Sequence, residues 1–166
     1  GYGNISQLDT ISVILTSLFF ALQVYFDFSG YSDMARGVGK LLHLDLPINF
    51  DSPFKAQSYG EFWRRWHISL YRFMTRYLYI PLGGSRKGNF RQMLNTMIIF
   101  TVSGLWHGAQ WTYIAWGAAN GVLVILSQKG KHIFAKIPAL VQRVLILITF
   151  TLTTILFRIS QLQDVD

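Results

Sequence analysis

The chain has 166 residues, of which 51% are hydrophobic, 16% aromatic and only 14% charged, whereas a soluble domain carries about 25% charged residues. This composition indicates a membrane protein, and the excess of 15 Lys and Arg over 8 Asp and Glu is typical of basic cytoplasmic loops, not of a nucleic-acid-binding domain. The absence of cysteine excludes disulfides, thiolate catalysis and zinc sites built on cysteine.

Residues 11–28 form the first long apolar run and predict a membrane-spanning helix, because roughly 20 apolar residues cross a bilayer. Residues 31–91 then hold ten basic and four acidic residues and predict a basic loop and helix at the membrane interface. Ser58 is a candidate N-cap, with Glu61 completing a capping box. The helix that follows, from about Tyr59 to Ile80, is predicted to be amphipathic and interfacial, with aromatic and apolar residues on one face (Trp63, Trp66, Leu70, Phe73, Tyr77) and polar residues on another (Arg65, Ser69, Arg72, Arg76).

The second half of the chain predicts three further spans, over residues 92–107, 111–127 and 144–159. Small residues in the third span allow close helix packing; they are Ala115, Gly117, Ala118, Ala119 and Gly121. If the second and third spans form a hairpin, both basic regions, 31–91 and 128–143, lie in the cytoplasm.

We therefore expect an all-α, multi-pass membrane protein with about four spans and one interfacial helix, forming a single domain over residues 1–166. The chain begins with Gly1 and not with Met, so we expect an internal or C-terminal piece of a longer protein.

His107 is the residue that most suggests a function. It lies between Trp106 and Trp111 in the middle of a long apolar run, and ionisable residues at that depth are usually functional. From the local sequence, a role in helix packing and a role as a general base are equally supported. His67, on the amphipathic helix, is better explained locally as structural, and Arg64 one turn before it favours a neutral imidazole.

The other ionisable residues have simpler explanations. His43 and His132 lie in or beside basic loops and receive no role, while Asp27 and Asp33 near the first span are best explained as salt-bridge or helix-cap residues. Haem ligation by two histidines is a minor alternative. The sequence contains no phosphate-binding loop, Gly-x-Ser-x-Gly motif or His-Glu-x-x-His motif.

Five motifs occur in order along the chain and together resemble the membrane-bound O-acyltransferase family, most closely its bacterial alginate O-acetyltransferase branch. The related D-alanyl-lipoteichoic acid transfer proteins are similar in the same places. The motifs are YFDFSGYSDMA (25–35), LPINFDSPF (46–54), EFWRRWHISL (61–70), YIPLGG (79–84) and SGLWHGAQWTYIAWG (103–117).

The resemblance implies the C-terminal part of a larger fold and an enzyme that moves an acyl group, acetyl in this branch, onto hydroxyls of a polysaccharide such as alginate. It implies that His107 is the catalytic histidine and His67 the second functional one. We expect His107 to act as general base and further expect contacts to donor or substrate from four residues, Arg64, Arg65, Trp106 and Asp33.

The resemblance also implies a location in the bacterial cytoplasmic membrane, a polysaccharide acceptor and a periplasmic or membrane partner protein in acetylation. We expect no bound metal or cofactor, and acetyl-CoA or an acyl carrier as the donor. Two alternatives stay open. One is D-alanyl transfer to teichoic acid, and the other is a non-enzymatic membrane subunit that passes an acyl group to a partner enzyme.

Overall fold

A computed structural model describes residues 9–163, and side chains as far as residue 158. The regular secondary structure of the described part is all helical, with no strand, which confirms the predicted all-α class. Seven α-helices follow one another: α1 (Thr10–Leu41), α2 (Tyr59–Arg65), α3 (Ile68–Met74), α4 (Asn89–His107), α5 (Trp111–Lys129), α6 (Lys131–Phe134) and α7 (Ala139–Gln163). A 3₁₀ turn (Pro53–Lys55) precedes α2, and a π-helical stretch (Thr75–Tyr79) continues α3.

Helix α1 is longer than the first predicted span. It begins at Thr10, where the Asp9 carboxylate accepts a hydrogen bond from the Ser12 N–H, and it continues to Leu41. Its 32 residues measure about 48 Å, at roughly 1.5 Å per residue. The predicted span ended where the apolar run ends, but the helix continues through the polar residues that follow.

The predicted interfacial helix from Tyr59 to Ile80 is wrong as a single element. Helix α2 ends at Arg65 and α3 begins at Ile68, with Trp66 and His67 between them. The break divides the predicted apolar face, because Trp63 and Trp66 are buried whereas Phe73 and Tyr77, beyond it, are exposed.

Of the two hydrogen bonds predicted for the N-terminal capping box of α2, one is present. The Ser58 hydroxyl accepts a hydrogen bond from the Glu61 N–H, as predicted. The Glu61 carboxylate, however, accepts a hydrogen bond from the Gln57 N–H and not from that of Ser58. Ser58 therefore caps the helix, while Glu61 reaches one residue further back.

Helices α4 and α5 form the predicted hairpin and pack backbone against backbone. A Cβ added to Gly104 would overlap the carbonyl oxygen of Tyr113, and one added to Gly117 would overlap that of Phe100. The hairpin therefore depends on glycine in both helices, which confirms the predicted use of small residues at this contact.

The core of the described part is aromatic and joins α2 to the hairpin and to α7. Phe62 and Phe150 are completely or almost completely buried and lie 5.0 Å apart between ring centroids. Tyr59, at the first turn of α2, donates a hydrogen bond to the Asn120 amide oxygen of α5 over 2.6 Å. Short α2 is thus fixed by burial and by one buried polar contact.

Within residues 9–163, two helices are long and apolar enough to cross a membrane, α1 and residues 139–158 of α7. The prediction of four such spans is wrong for residues 92–107 and 111–127, although both form helices near the predicted bounds. Polar residues lower the hydropathy of both, such as Gln92 and Thr96 in α4 and Asn120 in α5. The single domain over residues 1–166 stays a prediction.

Candidate active site

The break between α2 and α3 places His67 in an unusual backbone conformation. Its φ of 47° and ψ of 55° are left-handed, and a non-glycine residue held there costs roughly 1–3 kcal/mol. Residues with such backbone strain cluster at functional sites, where the surrounding structure must hold them.

The segment before α2 supplies the hydrogen bonds that hold this conformation. The Asp51 N–H donates to the Arg65 carbonyl oxygen over 3.0 Å, and the Ile68 N–H donates to the Asn49 carbonyl oxygen over 2.9 Å. These two bonds lie on either side of residues 66 and 67. The loop therefore fixes the helix break from outside, and His67 is positioned by a distant part of the sequence.

The His67 ring is half-buried among aromatic side chains. The Phe28 ring meets it edge-on at 4.8 Å between centroids, and the Trp106 ring lies 5.9 Å away. Burial lowers the pKa of His67 below its ordinary value, and the nearby His107 lowers it further. At neutral pH His67 is therefore an uncharged imidazole, able to donate and to accept a hydrogen bond.

His107 is the last residue of α4, and Gly108 follows it at the turn of the hairpin. Its ring is met edge-on by Trp116 of α5 at 5.2 Å and by Phe157 of α7 at 5.4 Å. Three helices thus converge on this imidazole. The close crossing at Gly104 determines how near α5 brings Trp116.

Trp106 connects the two histidines. Its ring centroid lies 5.0 Å from that of His107 and 5.9 Å from that of His67. The indole is 58% exposed and also borders an apolar groove between α3 and α4 that Phe73 and Leu105 help to line. Trp106 is therefore placed to fix the orientation of both imidazoles from one side.

Both histidines line one cavity of about 290 Å³. One wall is α4, where a polar stripe of Gln92, Thr96, Ser103 and His107 faces the cavity. From the first to the last of these, α4 advances about 22 Å, at roughly 1.5 Å per residue. The cavity therefore connects the histidines with the region near the N-terminal end of α4.

The opposite wall comes from the broken helix. Gly60 and Arg64 of α2, His67 at the break and Tyr71 of α3 all line the cavity, so both short helices contribute to this wall. Arg64 is exposed, and within residues 9–158 no carboxylate lies within ion-pair distance of it. Its guanidinium is therefore available to an anionic group in the cavity.

Two of the predicted binding residues lie elsewhere. Arg65 does not line the cavity; its guanidinium pairs with Glu61 at 2.9 Å and with Asp51 at 3.5 Å. Asp33 lies on α1, where its exposed carboxylate pairs with Arg36 at 3.4 Å. The structure thus brings together His67, His107, Trp106 and Arg64 among the predicted residues, and separates Arg65 and Asp33 from them.

The polar stripe of α4 was not predicted, although its pattern is present in the sequence: Gln92, Thr96, Ser103 and His107 follow one another at intervals of four, seven and four residues, the repeat of one helix face. The role of Asn49 could not be predicted, because no local pattern marks it. Within the described residues, His, Asp and Glu form no group of three or more that could hold a metal ion.

Comparison with known proteins identifies the family. The model of MBOAT, the membrane-bound O-acyltransferase family, matches residues 4–163, nearly the whole chain. The chain belongs to this family. The resemblance seen in the five motifs is thereby confirmed.

Several curated relatives belong to different acyl-transfer systems. The chain is 42% identical to the peptidoglycan O-acetyltransferase of Helicobacter pylori, over 99% of the chain and 32% of that protein. It is 41% identical to the "Probable alginate O-acetylase AlgI" of Pseudomonas aeruginosa, over 90% of the chain and 29% of that protein. It is 32% identical to the teichoic acid D-alanyltransferase of Streptococcus thermophilus, over 75% of the chain and 31% of that protein.

The chain spans about a third or less of the length of these MBOAT relatives. Within that length it carries both motif histidines, His67 and His107, and three of its motifs, residues 61–70, 79–84 and 103–117, contribute to the cavity walls described above.

Proposed function

We propose that this chain forms the histidine-containing part of a membrane enzyme that transfers an acyl group to hydroxyls of a cell-surface or secreted polysaccharide. One observation carries the proposal: His67 and His107, 40 positions apart in the sequence, line the same cavity. A purely structural explanation of either histidine does not require the two to share a cavity.

Acyl transfer to a hydroxyl requires removal of one proton. In the proposed step the acceptor oxygen attacks the carbonyl carbon of an acyl thioester, while the His107 imidazole takes the hydroxyl proton. The carbon–sulfur bond then breaks, and the imidazolium returns the proton to the leaving sulfur. A positioned base of this kind contributes typically ~10²–10⁴-fold to the rate.

His67 is proposed to orient the reactants instead of removing the proton. Its ring lies 5.9 Å from that of Trp106, which also packs against His107 at 5.0 Å, and as an uncharged imidazole it can donate one hydrogen bond to the donor carbonyl. Replacing His67 by alanine should therefore lower the rate less than replacing His107.

Arg64 is proposed to hold the anionic portion of the acyl donor, either acetyl-CoA or an acyl carrier. An arginine without an acidic partner attracts phosphate groups through charge-assisted hydrogen bonds. Arg65 provides a matched control, because its charge is already paired with Glu61 and Asp51. Arg64→Gln should raise the KM for the donor, whereas Arg65→Gln should change stability more than KM.

Acetyl is the acyl group that we propose. The O-acetylase relatives are 41–49% identical to the chain, against 30–32% for the two teichoic acid D-alanyltransferases. D-alanyl transfer is the second candidate, supported by the same motifs. Measuring acetate and D-alanine released by mild base from the polymers of a deletion strain distinguishes the two.

The proposed setting is the bacterial cytoplasmic membrane, with several passes and with a partner protein that completes acetylation on the outer side. Family membership and the two apolar helices, α1 and α7, support the membrane location. The cavity supports movement of a reactant along α4, because it follows that helix from the basic region to the hairpin turn. A deletion of the partner gene should abolish polymer acetylation without changing the amount of this protein.

The test of the proposed base is His107→Ala in the full-length gene product, expressed in a deletion strain. We expect polymer acetylation to disappear while the amount of protein in the membrane is unchanged. His132→Ala is the matched control, because His132 is exposed and does not line the cavity. Wild-type acetate content in the His107 variant would refute the proposal.

Two further measurements address the alternatives. If the protein were a non-enzymatic subunit, acetylation would survive the loss of both histidines. If the two imidazoles held haem, the purified protein would absorb in the Soret region, and the absence of that band removes this explanation.

A further inference from the structure

The side chain of Asn49 makes a set of contacts that the proposed chemistry does not use. Its amide oxygen accepts a hydrogen bond from the Ser69 N–H over 3.1 Å and another from the Ser69 hydroxyl over 2.9 Å. Its amide nitrogen donates a longer bond, of 3.4 Å, to the Ser32 hydroxyl of α1. With the backbone bond from Ile68, Asn49 holds the first two residues of α3.

These contacts replace a helix cap that His67 does not provide. A helix begins with N–H groups that lack partners within the helix, and the residue before it normally supplies a side-chain acceptor. His67 occupies that position before α3 but makes no such bond. Asn49, 18 positions earlier, supplies the acceptor, so the His67 ring is free to face the cavity.

We propose that Asn49 is a positioning residue for His67: by capping α3 from outside, it maintains the left-handed backbone that directs the imidazole into the cavity. This inference rests on the proposed function for its effect on transfer, although not for its effect on the backbone. It assigns a role to the motif of residues 46–54, which the mechanism otherwise leaves unexplained.

A cap that only stabilises the protein would lower its amount or its melting temperature and leave the chemistry of each folded molecule unchanged. A positioning residue lowers kcat with little change in the KM for the donor, because Arg64 and the rest of the cavity remain in place. A displacement of about 1 Å at a reacting group can cost ~10²-fold in rate.

The decisive experiment is a double-mutant cycle in the full-length gene product, with Asn49→Ala, His67→Ala and the double variant. Rates are normalised to the amount of folded protein, and Asn89→Ala serves as a control, because Asn89 is exposed and lies outside the cavity. If Asn49 acts through His67, Asn49→Ala lowers kcat by ~10- to 100-fold and the double variant is no slower than His67→Ala. A double variant slowed by the product of the two single effects overturns the proposal.

Conservative variants identify which atom of Asn49 matters. Asn49→Asp keeps an oxygen that accepts both bonds from Ser69 and should restore most of the activity. Ser32→Ala removes the partner of the amide nitrogen and should behave like the wild type. If Asn49→Asp were as slow as Asn49→Ala, the capping contact would not be the cause.

Trypsin digestion in detergent provides a readout that does not depend on activity. Cleavage after Arg65 requires the backbone at the break to open. The loss of even one hydrogen bond of about 1 kcal/mol makes opening roughly fivefold more frequent, so Asn49→Ala, which removes both bonds to Ser69, should be cleaved at least that much faster. If the wild type transfers no acyl group, the proposed function fails, and if His67→Ala is fully active, the orienting role of His67 fails. In either case the cleavage rate still decides whether Asn49 holds the backbone at the break. A wild-type cleavage rate together with wild-type transfer overturns that role.

Discussion

The crossing of α4 and α5 offers a sharp test of how the fold positions His107. Gly104→Ala adds one methyl group where the Tyr113 carbonyl oxygen lies, far inside van der Waals contact. A close carbon–oxygen contact measures about 3.3 Å, so the helices must separate locally by roughly 1 Å. Overpacking of this kind typically costs ~1–3 kcal/mol.

The separation begins one turn before His107 and moves it relative to Trp116. We expect the kcat for transfer to fall by up to ~10²-fold, because the rates of oriented reactions are sensitive to displacements of this size. The assay compares melting temperature and kcat of the full-length protein in detergent with those of Gly37→Ala. Gly37 lies in α1 with nothing within 4 Å of an added Cβ, so alanine there should be neutral or stabilising by up to ~1 kcal/mol. Equal behaviour of the two variants would refute the close-packing argument.

Three further predictions concern stability and pH. Tyr59→Phe removes the hydroxyl that donates to the buried Asn120 amide oxygen, and thermal unfolding should show a loss of ~1–3 kcal/mol. Ser58→Ala removes the acceptor for the Glu61 N–H, and the same measurement should show a loss of ~1 kcal/mol. Because the pKa of His67 is lower in the folded protein than its ordinary value of 6.5, the unfolded chain takes up the proton first as the pH falls. Wild-type stability should therefore decrease below about pH 6.5, with up to about 1.4 kcal/mol per pH unit contributed by His67, and His67→Ala should show a smaller decrease.

The bounds of a helix could be predicted from the sequence where a local pattern, such as an apolar run or a turn, determines them. The apolar runs and the turn at Gly108 predicted α4 and α5 within a few residues of their observed bounds, 89–107 and 111–129. The break at His67 could not be predicted in this way, because the sequence from Tyr59 to Ile80 is locally suited to a continuous helix. Hydrogen bonds to the Asn49 carbonyl oxygen and from the Asp51 N–H impose the break, and the partners of both groups are known only from the fold.

The candidate site was predicted in part. The two histidines were identified because their motifs resemble those of a family, and the structure adds that they share one cavity. Arg64 and Arg65 could not be told apart by charge alone. The spacing of Glu61 and Arg65, four residues on a helix, did carry the information that this arginine is paired. The ion pair of Asp33 with Arg36, three residues further along the same helix, could likewise be predicted from their spacing.

The polar residues of α4 account for part of the error in the number of spans. Arg91 and Asn95 donate hydrogen bonds to the carbonyl oxygens of Leu82 and Gly84, whereas Gln92, Thr96 and Ser103 line the cavity that ends at His107. Polar groups at membrane depth are tolerated where they face a cavity and not lipid. Under the proposed function, the face of α4 that carries Gln92, Thr96 and Ser103 is the one that a polar reactant would follow to the imidazole. Helix α4 is therefore better explained as a wall of the cavity than as an apolar span.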